Sequence, residues 1–129
     1  MLVKSLTLGK LKVMTESNDE VYCAVYQRAI ELLGGRWTGA IIRALLGGRH
    51  RFSDITAAIP GLSDRMLAER LRELEAEGLL TRVVVPEMPV RVEYNLTEKG
   101  QALSGVIDAL VDWLLTWGEE TPTPLSYSR

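Results

Sequence analysis

Between Glu31 and Asp54 the sequence holds Arg36, Arg43, Arg49, His50 and Arg51 and no acidic residue. Guanidinium groups gathered without an intervening carboxylate suit a polyanion, because each offers a permanent charge and several N–H donors to phosphate oxygens. A second group follows in Ser63, Asp64, Arg65, Met66, Glu69 and Arg70. If that segment is helical, Leu67, Leu71 and Leu74 share the core face, and Arg65, Met66, Glu69 and Arg70 point away from it. An arginine so placed reaches guanine O6 and N7 with two hydrogen bonds or clamps a phosphate, and a glutamate accepts from cytosine. Glu69 alternatively pairs with Arg65 or Arg72. Arg91 stands alone further on, suited either to a backbone phosphate or to keeping an exposed strand soluble. A basic loop or a solvated helix face remains the plain alternative for the other positions.

Other chemistry is poorly supplied. With one cysteine (Cys23) and one histidine (His50), the chain makes no internal disulfide and no Cys-rich zinc site. No carboxylates stand at a catalytic or metal-ligating spacing, so neither an enzyme nor a bound cofactor is expected. The length of 129 residues, with 47% hydrophobic and 25% charged residues, is that of one globular domain. Its most apolar stretch, Val106 to Leu115, is interrupted by Asp108 and Asp112 and is far too short to span a bilayer. The first twelve residues lack the long apolar core of a secretion signal. A cytoplasmic protein without a membrane partner is expected. The net charge is −2, but the acid lies toward the ends, in Glu16, Asp19, Glu20 and Glu31 and again in Asp108, Asp112, Glu119 and Glu120. That asymmetry suits one basic face for phosphate and another surface for a different task.

The elements that must position these residues follow from periodicity and breakers. Residues 1–20 show no sustained period and read as an arm. Asn18 or Asp19 caps a first helix from about Val21 to Leu33, which Gly34-Gly35 ends in a left-handed C-cap. A second helix runs from about Trp37 to Leu46 and ends at Gly47-Gly48. Ser53 is expected to cap a short third helix that Pro60-Gly61 breaks. Ser63 caps a fourth, running to about Glu77. The apolar run from Leu79 to Val85 and the alternating run from Val90 to Leu96 predict a hairpin with Pro86-Glu87-Met88-Pro89 at its tip. Thr97 then caps one long helix to about Trp117, and residues 119–129 form a loose tail. Short helices around a tight turn, followed by a two-stranded hairpin, predict a mainly α fold with a small β-hairpin. This is a winged helix-turn-helix, in one domain over 21–118.

The fourth helix would then lie in the major groove of double-stranded DNA with Arg65, Met66 and Arg70 toward the bases. Ser63, Arg36, Arg49, Arg51 and Arg91 would hold phosphates. The last helix carries a separate signal. Leu103, Val106, Leu110, Trp113 and Trp117 alternate at spacings of three and four, with Ile107, Val111 and Leu114 beside them. So broad an apolar surface on a terminal helix marks an interface. With Tyr22, Val25 and Tyr26 of the first helix, it predicts a helical homodimer. Trp37, Trp113 and Trp117 serve either as core and interface anchors or as platforms for a planar ligand.

Several runs resemble the HxlR-type regulators. They are Cys23 through Gly34-Gly35-Arg36-Trp37-Thr38, Arg51 to Ile55, Pro60-Gly61-Leu62-Ser63, Leu67 with Arg70 to Glu75, Gly78-Leu79, Val92-Glu93-Tyr94, and Leu96 through Gly100. The resemblance covers Tyr22 to about Gly118 in order. It implies a dimeric winged-helix regulator that usually represses genes near its own and dimerises through its first and last helices. Some members have a cysteine at the position of Cys23 and sense oxidants, quinones or aldehydes with it, so a small-molecule or oxidant effector is implied. Such reactivity needs an exposed thiolate. Here Gln27, not a lysine or arginine, lies one turn on, and Ala24 replaces the usual proline; the other reading is a small residue in the dimer seam. The acidic pI near 5.5 fits a second function, a winged-helix protein-interaction module without DNA binding.

Overall fold

The structure, a computed structural model, describes residues 19–118. The Asn18 cap, most of the arm over 1–20 and the tail over 119–129 lie outside the described residues. The chain divides into two compact units, one ending at Gly35 and the other beginning at Arg36.

In the first unit, α1 spans Asp19–Leu33. Asp19 and Glu20 occupy its first turn, where negative charge is favoured by the helix dipole. None of its residues is buried. The amide of Gly34 donates to the carbonyl of Ile30 at 2.6 Å and ends the helix. The left-handed conformation expected at Gly34-Gly35 is not there. It falls on Trp37 (φ 75°), the non-glycine residue of positive φ among the described residues.

The second unit comprises α2 (Thr38–Leu46), α3 (Phe52–Ala58), α4 (Asp64–Ala76), β1 (Leu80–Val85), β2 (Arg91–Leu96), α5 (Glu98–Gln101) and α6 (Ser104–Trp117). Its core follows the predicted periods. Ile41, Ile42 and Leu45 of α2 are buried together with Ile55 of α3, Leu67, Leu71 and Leu74 of α4, and Leu79 and Leu80 at the hairpin entry. Burying each such side chain contributes about 1.5–3 kcal/mol, enough for the stripe to define which face of α4 turns inward. Gly61 holds the turn between α3 and α4 at φ 92°, a conformation that glycine adopts without a Cβ clash.

Several boundaries shift by a residue or two, α1 starting at Asp19, α2 at Thr38 and β1 at Leu80; three departures bear on how the elements are joined. First, α3 starts at Phe52, with Arg51 extended at its N-cap and no side-chain cap bond. Ser53 sits inside the first turn, where its carbonyl accepts from the Thr56 hydroxyl. Second, β2 begins at Arg91, not Val90, because the register pairs Leu80 with Leu96 through Val85 with Arg91. Third, the long last helix is broken. Thr97 caps only α5, its Oγ1 accepting from the Gly100 amide at 3.1 Å, and the Leu103 amide then turns back to the Gly100 carbonyl. The break lies where the chain is clamped. The Thr97 hydroxyl donates to the Gly78 carbonyl at 2.7 Å, and a Cβ at Gly100 would collide with the Leu79 carbonyl.

Candidate nucleic-acid interface

The N-terminal turn of α4 is built by Ser63. Its extended backbone (φ −80°, ψ 156°) lets the hydroxyl accept from the Met66 amide at 3.1 Å, satisfying one of the free donors at the helix start. Leu67, Leu71 and Leu74 are buried, so helical geometry turns the Arg65 side chain outward, 90% exposed. Its Nε lies 3.5 Å from Glu69 Oε2, a loose surface pair that another anion can replace at little cost. Met66 and Glu69 lie half-buried on the same helix. Ser63, Arg65, Met66 and Glu69 are thus brought onto one stretch of the helix.

Arg70 is placed differently. Its side chain is only 18% exposed. The Nε donates to the Arg36 carbonyl at 2.9 Å, and one terminal nitrogen donates to both Glu73 oxygens at 3.0 and 3.2 Å. Position 70 lies three residues after Leu67 and one before Leu71, so it flanks the core stripe rather than opposing it. In this arrangement Arg70 ties α4 to the segment leading into α2. Arg36 is exposed, with its guanidinium carbon 5.8 Å from the centre of the Trp37 ring.

The loop before α3 presents Arg49, His50 and Arg51, all exposed. It is joined to the hairpin: the Tyr94 amide donates to the His50 carbonyl at 2.8 Å, and His50 Nδ1 lies 3.1 Å from the Tyr94 carbonyl. On the hairpin, Arg91 is held between two glutamates. Its Nη1 donates to Glu87 Oε1 at 2.9 Å, and its Nε lies 2.9 Å from Glu93 Oε2. Arg82, not among the residues expected from the sequence to contact nucleic acid, is exposed and has no side-chain partner among the described residues. The signal was its place in the β-branched run, where alternation puts it opposite Tyr94.

The apolar residues nominated for an interface are also on the surface. Tyr22, Val25 and Tyr26 of α1 and Val106, Leu110, Trp113, Leu114 and Trp117 of α6 are exposed, Trp113 by 63% and Trp117 by 77%. Leu103, just before α6, is half-buried. The Cys23 thiol is free and exposed on α1. Among the described residues no three His, Cys, Asp or Glu side chains gather as a metal site. No described helix is long and apolar enough to cross a membrane.

A helix pair, a glycine turn, a capped fourth helix and a twisted hairpin define a winged helix-turn-helix. The family model for the HxlR-like helix-turn-helix matches residues 32–122. The chain belongs to that family. Among similar proteins, the HTH-type transcriptional regulator YodB of Bacillus subtilis (strain 168) is 50% identical over 91 residues, covering 70% of this chain and 81% of YodB. The uncharacterized HTH-type transcriptional regulator YvaP of the same organism is 46% identical over 100 residues, covering 78% of this chain and 93% of YvaP. The reduced form of YodB superposes with a TM-score of 0.67 over 74% of this chain and 94% of that one, at 47% identity. YodB has also been solved in diamide-treated and quinone-bound forms.

Proposed function

We propose that the chain is a transcriptional regulator that binds double-stranded DNA sequence-specifically as a homodimer and represses. The observation that carries the reading is the first turn of α4, where Arg65 stands almost fully exposed at the end of a capped helix, directly after the helix-turn-helix turn. Arg65 reads a base edge, with Met66 and Glu69 beside it. Ser63, Arg36, Arg49 and Arg51 contact phosphates, and Arg82 joins them from the wing. Arg70 acts through its bond to the Arg36 carbonyl, as a positioning residue for α4. The names of the relatives, HTH-type transcriptional regulators, support the same function.

Dimerisation uses the exposed apolar faces of α1 and α6. A second copy removes the two tryptophans and their aliphatic neighbours from water, and each buried indole contributes roughly 150–250 Å² of contact. Cys23 is the site of an oxidant or quinone effector, supported by its exposure and by the quinone-bound and diamide-treated forms of YodB. Alkylation of Cys23 followed by mass spectrometry and a binding assay tests it. Unchanged DNA affinity of the fully modified protein would exclude a sensing role.

The central test is fluorescence anisotropy of the full chain on its own upstream DNA, across a salt series with competitor DNA. Tight binding that resists competitor and weakens steeply with salt supports the reading, because phosphate contacts release counterions while base contacts resist competition. A second reading, a protein-interaction module without DNA binding, draws on the pairing of Arg91 with Glu87 and Glu93, which neutralises one of the wing's arginines. A folded dimer that selects no sequence from random DNA would favour that reading.

A further inference from the structure

On the second unit, a groove runs between α2 and the turn after α3. Its lining is largely small and apolar, with Ala40 and Ala44 of α2 and Ala58, Ile59 and Pro60 from the end of α3 onward. Trp37, Arg43 and Arg49 complete it. The cavity volume is about 520 Å³, within the range of small-molecule sites.

We propose that this groove binds a small planar aromatic carboxylate. The charge of the ligand follows from the two arginines. Arg43 and Arg49 are exposed, and neither guanidinium has a recorded partner among the described residues. No acidic residue occurs between Glu31 and Asp54 to neutralise them. The Arg49 guanidinium is folded back over the end of α2, with Nη1 at 3.5 Å from the place a Cβ would take on Gly47. Two arginines near a helix C-terminus are partly explained by the helix dipole. The dipole does not explain the apolar surface they overlook. A free phosphate would use the charge and gain nothing from that surface, whereas a ring bearing a carboxylate uses both.

The shape of the ligand follows from the wall. Trp37 is half-buried and held at φ 75°, in a region that costs a non-glycine residue about 1–3 kcal/mol. Such strain persists where the surrounding structure maintains it, and Trp37 here lines the groove. An indole beside two alanines offers a flat apolar contact for a ring. Ala40 keeps the groove open, since a larger side chain there would fill it. The groove shares Arg49 with the proposed phosphate contacts, so naphthoate binding and duplex binding are measured separately.

The test uses the full chain and 1-naphthoate as probe, titrated by calorimetry, with neutral 1-naphthalenemethanol as the uncharged control. Ala40→Leu fills the groove and Arg43→Gln removes a charge from its lining. Both positions lie on α2, with Ala40 and Arg43 exposed, and both replacements are good helix formers. Circular dichroism confirms the fold of each. Saturable binding of naphthoate, one per chain, is expected, with the control much weaker and each variant weakened roughly ten- to a hundredfold. The indole Nε1–H resonance of Trp37, assigned with Trp37→Phe, should shift on binding. Absence of saturable binding, or wild-type binding by both folded variants, overturns the proposal. So does a result in which naphthoate fails to bind while Arg43→Gln weakens duplex DNA, since the groove would then belong to the DNA backbone.

Discussion

Tyr94 and His50 are joined twice, through the Tyr94 amide donating to the His50 carbonyl at 2.8 Å and through His50 Nδ1 lying 3.1 Å from the Tyr94 carbonyl. The pair bridges 44 residues and fastens the wing to the loop that carries Arg49 and Arg51. Two proposed phosphate-contacting segments therefore move as one piece, which reduces the ordering that DNA binding would otherwise demand.

Replacing His50 with alanine keeps the backbone bond and removes the ring contact. Stability should fall by about 0.5–1.5 kcal/mol, the range of one partly exposed hydrogen bond. Hydrogen exchange at the Tyr94 amide should quicken while protection in the α2 core persists. Unchanged exchange and unchanged denaturation would mean that the ring contact does not hold the wing.

Arg65 and Arg70 are expected to behave oppositely. Arg65→Ala should leave stability within about 0.5 kcal/mol, because the side chain is 90% exposed and its pairing is loose. It should weaken specific DNA binding by about 1–3 kcal/mol and relax the preference at one base pair. Arg70→Ala should instead destabilise the fold by about 0.5–1.5 kcal/mol, since it removes the bond to the Arg36 carbonyl. Parallel anisotropy and urea denaturation separate the two, and equal loss of stability in both variants would contradict the assignment.

The glutamates around Arg91 should restrain DNA affinity. Glu87→Gln combined with Glu93→Gln removes both charges that lie 2.9 Å from Arg91 and frees the guanidinium for phosphate. Non-specific affinity should rise, and the slope of log K against log salt should steepen by about 0.9 for one added phosphate contact. An unaltered slope would show that the wing does not approach the duplex.

Dimerisation should depend on the exposed face of α6. Leu110 is 61% and Trp113 63% exposed, so Leu110→Glu with Trp113→Ala should leave the monomer folded. Analytical ultracentrifugation should then report monomer at concentrations where the wild type is dimer, with DNA affinity lowered by roughly tenfold or more, since one half-site is lost. A dimer that survives both substitutions would move the interface elsewhere.

Much of the architecture was legible along the chain because it depends on neighbours three or four residues apart. Leu67, Leu71 and Leu74 declare the buried face of α4 by their spacing, and the Ser63 cap, the Gly61 turn and the presence of the hairpin follow from local rules. The exposure of Arg65 follows from the same period. What local spacing could not decide depends on partners distant in sequence. Spacing places Arg70 beside the core stripe, but only the fold brings the Arg36 carbonyl, 34 residues earlier, to its Nε. Gly100 packs against the Leu79 carbonyl, where no Cβ fits, and the last helix is interrupted just after it, with the Leu103 amide bonded to the Gly100 carbonyl. Arg91 is neutralised because the hairpin tip returns Glu87 to it. Periodicity reports which way a side chain points relative to its own helix or strand; the tertiary fold decides which atom it meets there, and so whether an arginine is free to bind.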